Sequence, residues 1–349
     1  MKAAVYLGEG NLTVKDVPTP RVAAGEVLVK VDSNTICGTD LRIASGVKSK
    51  GVHPPVVLGH ELAGTVVELG AGVSSLQTGD KVGMTPSVAC NACYQCQRGH
   101  FHLCARARVL GHDIDGGLAE YFLVPQDAVA NGNLVKAPDF LAPEEISLAE
   151  PLSCVLHGQA LMGLSVNDVV VIIGGGAIGQ LHAQLARVRG AATVIVSEPV
   201  ESRRELALRL GADLAVDPTQ VDLDAVVADV TDGHGADGVI VCIGVPKLVN
   251  GALSAAGQHG KVSLFAGFPK DVRADIDANL IHYRELVVTG SSNSTTVEYR
   301  HALRLIADRK IDVGSLVTHR LSLTDIDTAL AAAGSPQAVK VAVLPGAGS

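Results

Sequence analysis

The stretch DVVVIIGGGAIGQLHAQLARVR, Asp168–Arg189, decides how the rest of the chain is read. The β-branched run Val169–Ile173 predicts a strand buried on both faces. Glycines follow at once, and then a stretch of helical character. The glycines fit G-x-G-x-x-G as Gly174, Gly176 and Gly179. Strand, turn and helix together are the context that gives this pattern meaning. Gly174 permits the tight turn, Gly176 lets the backbone approach a pyrophosphate, and Gly179 lets the helix pack against the strand. Ile178 sits within the same turn. The helix N-terminus would face an anion with free N–H groups and the positive end of its dipole. The stretch therefore predicts a dinucleotide-binding turn.

The next predicted strand, Thr193–Ser197, ends beside Glu198. An acid at this point accepts ribose hydroxyls and repels a 2′-phosphate, which favours NAD over NADP. Arg203 and Arg204 follow closely; Arg203 is counted with the cofactor-binding residues, and the pair keeps NADP as the less favoured choice. A helix is expected over Glu201–Leu210, strands over Gly238–Ile243, Lys261–Phe265 and Leu286–Thr289, and a helix over Val297–Asp308. Alternation of this kind predicts a doubly wound parallel sheet with helices on both faces. Before Asn167 the pattern differs. Short β-branched segments such as Glu26–Val31 and Gly64–Leu69, separated by Gly and Pro, read as a β-rich domain.

A chain of 349 residues suggests two domains. It contains no Trp and few other aromatics, so Val, Ile, Leu and Ala must build the core. The formal charge of −8 and the lack of a basic patch argue against nucleic acid. No apolar run is long enough for a membrane span, and the N-terminus has no hydrophobic signal segment. A soluble, cytoplasmic protein is expected.

Four of the seven cysteines fall in CNACYQCQRGHFHLC, as Cys90, Cys93, Cys96 and Cys104. Four thiolates fill a tetrahedral zinc shell and leave no open position, so this zinc would hold a loop and not catalyse. The gap of seven before Cys104, with Ala105 after it, does not suit an iron–sulfur run. His100 and His102 are expected to be solvent-facing loop residues. Elsewhere stand Cys37-Gly-Thr39-Asp40, Gly59-His60-Glu61 and Ala149-Glu150-Pro151. Together they offer one thiolate, one imidazole and one or two carboxylates, a catalytic zinc set with room for water or substrate.

With these motifs in order, the chain resembles the zinc-containing medium-chain dehydrogenase/reductase (alcohol dehydrogenase) superfamily along nearly its whole length. GHELAGTVVELGAGV, Gly59–Val73, looks like the zinc alcohol dehydrogenase signature. AEPLSCVLHG, Ala149–Gly158, is similar to the polyol (sorbitol-like) and threonine dehydrogenase branch. The resemblance implies a GroES-like β-barrel catalytic domain, residues 1–152 and 292–349, carrying the zinc lobe 90–104. It implies a Rossmann domain over residues 153–291 and an active site in the cleft between the two. Two zinc ions per subunit are implied, one catalytic and one structural. Cys37 and His60 would bind the catalytic zinc, with Glu61 and Glu150 competing for the remaining protein position. Asp40 would orient His60, and Thr39 would hydrogen-bond the substrate oxygen and begin proton release. Cys154 would pack against the nicotinamide or simply in the core, Lys340 would face the cofactor pyrophosphate, and Cys242 receives no role.

Two departures stand out. Arg42 occupies a position where polyol and threonine dehydrogenases commonly carry a proton-relaying histidine, and arginine cannot relay protons near neutral pH. The relay then differs, Arg42 serves an anionic group of substrate or cofactor, or it is a surface residue. The stretch around Ser292 and Asn293 is small and polar where sorbitol-type enzymes tend to carry an aromatic and an arginine; it points to a hydroxyl-rich substrate other than sorbitol by default, with Ser292 and Asn293 as candidates for substrate contact. The expected reaction is NAD-dependent oxidation of a secondary alcohol of a polyol, cyclitol or sugar, with threonine or another small secondary alcohol as the alternative. A zinc hydrolase would leave the glycine turn without a purpose, and a catalytically dead sensor would not need Cys37, His60 and Glu61. A homo-oligomer, with a tetramer favoured, is expected from the same resemblance.

Overall fold

The computed structural model describes residues 1–346. The chain forms two compact units. One comprises Met1–Ser153, Asn293–Arg309 and the chain from Val313 on; the other comprises Cys154–Ser292 and Lys310–Asp312. The first boundary falls inside the helix Ala149–Met162. No helix among the described residues is long and apolar enough to cross a membrane.

The second unit is a six-stranded, all-parallel sheet. Its spatial order is Leu214–Val216, Thr193–Ser197, Val169–Ile173, Ala236–Val241, Ala256–Leu264, Val287–Gly290. In chain order this is 3-2-1-4-5-6, the Rossmann arrangement, which places the first βα turn at the reversal of strand order. Two apolar clusters fill it, one around Val171, Ile195, Val239 and Val262, the other around Val170, Ile172, Val194 and Ile240. Alternate residues of the same strands thus feed opposite faces, as a sheet covered on both sides requires. The strand Leu214–Val216 has only three residues, too short to show a period in the sequence.

In the first unit, the longer sheet runs Leu134–Lys136, Lys81–Met84, Glu61–Leu69, Val27–Thr35, Lys340–Leu344, Val317–Ser322, with Tyr121–Val124 also paired to Val27–Thr35. A smaller sheet orders Leu12–Asp16, Lys2–Tyr6 and Val56–Val57. Two registers matter for function. Thr35 lies opposite Glu61, and Ala342 lies opposite Thr35 on its other side. Residues two apart share a face, so Lys340 comes to the same side of the sheet as Ala342. The strand expected from Gly64 starts three residues earlier, at Glu61, because the long partner Val27–Thr35 extends the ladder. This extension fixes Glu61 on a strand and not in a loop.

Candidate functional site

Cys37 precedes the short helix Gly38–Ala44 as its N-cap, and Asp40 lies in the first turn. The Cys37 N–H donates to Asp40 Oδ2 at 2.9 Å. The other carboxylate oxygen of Asp40 lies 3.3 Å from His60 Nδ1. This leaves Nε2 of His60 for a metal, the usual division of labour in a metal-bound imidazole. Burial works against the charge on both partners, but their mutual attraction prevails. The Asp40 carboxyl is held below its ordinary pKa and the His60 ring well above its own. Glu61, the next residue, is 1% exposed. The ligand atoms of Cys37, His60 and Glu61 all lie within 4.8 Å of one another. One thiolate, one imidazole and one carboxylate so arranged fit a zinc ion with an open position.

Glu61 has two further partners. Thr35 Oγ1 donates to it, and Lys340 Nζ lies 2.7 Å from Oε1 and 2.6 Å from Oε2. Burial lowers the Lys340 pKa, yet Glu61, and behind it Cys37 and Glu150, raise it overall. The family resemblance points Lys340 at the cofactor pyrophosphate; here its ammonium lies on the buried Glu61 carboxylate. Thr35 was not anticipated, since nothing local marks a strand threonine as a partner for an acid 26 positions later. Glu150 is buried in the first turn of Ala149–Met162, but it is not one of the three residues whose ligand atoms converge. Thr39 is half-buried and accepts a hydrogen bond from Arg42 Nη2 at 3.2 Å. Ser292 and Asn293 are exposed. Asn293, at φ 58°, donates through Nδ2 to the His102 carbonyl at 3.2 Å, so it is tied to the cysteine lobe. His102 is itself half-buried, while His100 is exposed as expected.

The four-cysteine lobe is closed at its base by pairing of Ser87–Val88 with Arg108–Val109. The sulfur of Cys93 lies 3.5 Å from that of Cys96 and 3.8 Å from that of Cys104, and Cys104 lies 3.4 Å from Cys90. A disulfide would need about 2.05 Å. Zinc–sulfur bonds of about 2.3 Å in a tetrahedron put the sulfurs about 3.8 Å apart, so the lobe has the dimensions of a zinc cage. Backbone N–H groups, first that of Ala92, lower the Cys90 thiol to about 6, whereas burial and neighbouring sulfurs push Cys96 up to about 12.

In the second unit, Gly174 has φ 100°, a conformation that favours glycine, and the helix Ala177–Val188 starts directly after Gly176. A Cβ on Gly179 would stand 1.8 Å from the Gly174 carbonyl oxygen, so only glycine fits there. A Cβ on Gly176 would meet nothing within 4 Å, which leaves open space over the turn for a ligand. Ile178 is half-buried in the first helical turn. Glu198, 4% exposed, accepts from the Gly175 N–H at 2.6 Å and the Val200 N–H at 3.0 Å. Each of its oxygens keeps a second lone pair for a ribose hydroxyl. Arg204 is held by the Glu198 and Pro199 carbonyls and lies 3.4 Å from Asp217. Arg203 is half-buried on the helix Glu201–Arg209, which also carries Arg204. Cys154 is half-buried on Ala149–Met162, and Cys242 packs against an apolar cluster of the sheet.

An open zinc set, a closed zinc set and a dinucleotide-binding turn in one chain define a zinc- and NAD(P)-dependent oxidoreductase. Comparison with known proteins agrees. Residues 23–139 match the alcohol dehydrogenase GroES-like domain, and residues 177–308 match the zinc-binding dehydrogenase family. The chain is 37% identical over 308 residues to an L-threonine 3-dehydrogenase of Pyrococcus furiosus, covering 87% of this chain and 86% of that one. It is 33% identical over 354 residues to a sorbitol dehydrogenase of Halalkalibacterium halodurans, covering 99% of each. The crystal structure of a proposed zinc-binding dehydrogenase from Sinorhizobium meliloti 1021, bound to NADP, matches with a TM-score of 0.93 and 36% identity, covering 99% of each chain. The protein belongs to the zinc-containing medium-chain alcohol dehydrogenase superfamily, with a GroES-like domain and a Rossmann domain.

Proposed function

We propose that the protein oxidises a secondary alcohol of a polyol, cyclitol or sugar to a ketone with NAD as hydride acceptor. The observation that carries this reading is the convergence of Cys37, His60 and Glu61 beside Thr39, in a chain that also holds the glycine turn and Glu198. Cys37, His60 and Glu61 would hold the catalytic zinc, which supplies a Lewis acid for the alcohol oxygen. Asp40 fixes the His60 ring through Nδ1. Thr39 Oγ1 already accepts a hydrogen bond from Arg42, which leaves its own proton to meet the substrate oxygen. Arg42 holds that hydroxyl in place but cannot take its proton. The ketone forms as the carbinol carbon gives up hydride, which NAD would accept, and the hydroxyl proton leaves to water. Glu198 supports NAD over NADP, because a buried carboxylate repels a 2′-phosphate.

The alternative, oxidation of threonine or another small secondary alcohol, draws on the likeness to the Pyrococcus enzyme. Association into a tetramer and a cytoplasmic location belong to the same reading. The outer strand Val287–Gly290, whose Val287 and Val288 are exposed, offers a free sheet edge in support of self-association.

The test is NADH absorbance with zinc-loaded protein, NAD or NADP, and a panel of polyols, cyclitols, sugars, threonine and simple alcohols. Turnover of a polyhydroxy compound with NAD is expected, and Cys37→Ser should abolish it while NAD still binds by calorimetry. Turnover of threonine alone selects the alternative; full activity of Cys37→Ser removes the assignment of the zinc site.

A further inference from the structure

Arg42 and Lys48 belong to neither metal set nor to the dinucleotide turn. Arg42 lies on the helix Gly38–Ala44 that follows Cys37. The chain then doubles back at Gly46, φ 76°, and the Lys48 N–H donates to the Arg42 carbonyl at 2.8 Å. That bond holds Lys48 against the last turn of the helix that carries Arg42. Their only side-chain partners among the described residues are uncharged. Arg42 Nη2 donates to Thr39 Oγ1 at 3.2 Å. Lys48 Nζ lies 3.4 Å from His112 Nε2.

The His112 ring is pushed down to about 4, by burial first and then by Lys48 and His60, so at neutral pH it is uncharged and accepts from the ammonium. Lys48 is half-buried, and burial followed by the nearby Arg42 lowers its pKa, although Cys37 and Asp40 act the other way. The acids nearby are committed elsewhere. Asp40 serves His60 and the Cys37 N–H. Asp113 accepts from the Val109 N–H at 3.0 Å and faces His53 at 3.8 Å. Two cations thus stand next to the reacting region, and no carboxylate among the described residues is ion-paired with either. Arginine and lysine in that setting form charge-assisted hydrogen bonds with an incoming anion.

We propose that Arg42 and Lys48 are specificity residues that bind an anionic group of the substrate, a carboxylate or a phosphate carried on the same molecule as the secondary hydroxyl. This rests on the reading of Cys37 and Thr39 as the reaction site and narrows its substrate class.

The test compares matched compounds on zinc-loaded protein with NAD: 3-hydroxybutyrate against 2-butanol for the carboxylate, sorbitol 6-phosphate against sorbitol for the phosphate. In the unaltered protein kcat/KM should favour the anionic member of at least one pair by about tenfold. Arg42→Gln and Lys48→Gln should each reduce that anionic-to-neutral ratio about fivefold or more, and Lys48→Arg should restore most of it. A ratio near one, or variants that lower both members equally, overturns the proposal. Calorimetry supplies a readout independent of turnover. If 3-hydroxybutyrate or sorbitol 6-phosphate binds, and Lys48→Gln removes the binding without any oxidation being seen, the anion pair stands and the dehydrogenase reading of those compounds fails. If neither anion binds, the pair is refuted whatever the neutral compounds do.

Discussion

Replacing Lys340 with Met probes a buried ion pair of the first unit. The side chains of Lys340 and Glu61 are 7% and 1% exposed, and the ammonium lies within 2.7 Å of both carboxylate oxygens. Removing one partner of a buried pair leaves the other desolvated and uncompensated, at a cost of about 3–5 kcal/mol. Glu61 keeps the Thr35 hydroxyl as a donor, so the lower end, about 3 kcal/mol, is expected. For a unit of roughly 200 residues, the size of the first unit, that corresponds to roughly 6–12 °C in Tm. Glu61→Gln should cost a similar amount by stranding the ammonium. The double variant removes both charges and should be far less than additive, with a coupling of about 2 kcal/mol or more. Urea unfolding followed by far-UV circular dichroism measures all four proteins, after chelation so that bound metal does not mask the loss. The pH dependence has a definite sign. The Lys340 pKa is raised in the folded protein, so its contribution is complete below the unfolded lysine value of about 10.4 and is lost as pH rises through the folded value. An additive cycle, or a single-variant loss under about 1 kcal/mol, refutes the reasoning.

Three other outcomes are expected. Cys93→Ser should remove one zinc per chain by metal analysis and lower thermal stability while the Cys37 site keeps its ion; unchanged zinc content counts against the cysteine cage. Glu198→Ala should weaken NAD by about tenfold and NADP by less, measured by calorimetry; an unaltered preference removes Glu198 from the ribose role. Glu150→Gln should leave the zinc content at Cys37 and His60 intact, since Glu61 is the carboxylate that converges with them; loss of that zinc would reassign the ligand.

What could be read in the sequence was local. The glycine turn and the four cysteines announce themselves because their spacing is short and their chemistry demands particular residues. Cys37, His60 and Asp40 were legible through motifs only a few residues long, and the structure joins them. Lys340 was legible as a basic residue but not as the partner of Glu61. That contact spans 279 positions and follows from a sheet register that no local pattern encodes. The small polar stretch makes Asn293 a candidate for substrate contact, but its hydrogen bond to the His102 carbonyl, 191 positions away, is not legible in any local pattern. The strand Ala256–Leu264 begins five residues before Lys261, where the sequence reading starts it, because Ala256 pairs with Ala236 and an irregularity in register spans residues 257–260 before pairing resumes at Lys261.

The distance between Glu61 and Lys340 also has a meaning in time. Translation proceeds at roughly 5–20 residues per second, so the carboxylate is synthesised about 14–56 s before its cation. Residues 154–292 form a nearly continuous unit that can close on itself during that interval. The first unit cannot, for its central sheet lacks the strand Lys340–Leu344 until the last stage of synthesis. A nascent chain therefore holds Glu61 without its cation while residues 154–292 are already able to fold. A chain truncated before residue 340 would carry the whole dinucleotide turn and all four lobe cysteines, yet never complete the sheet that buries Glu61.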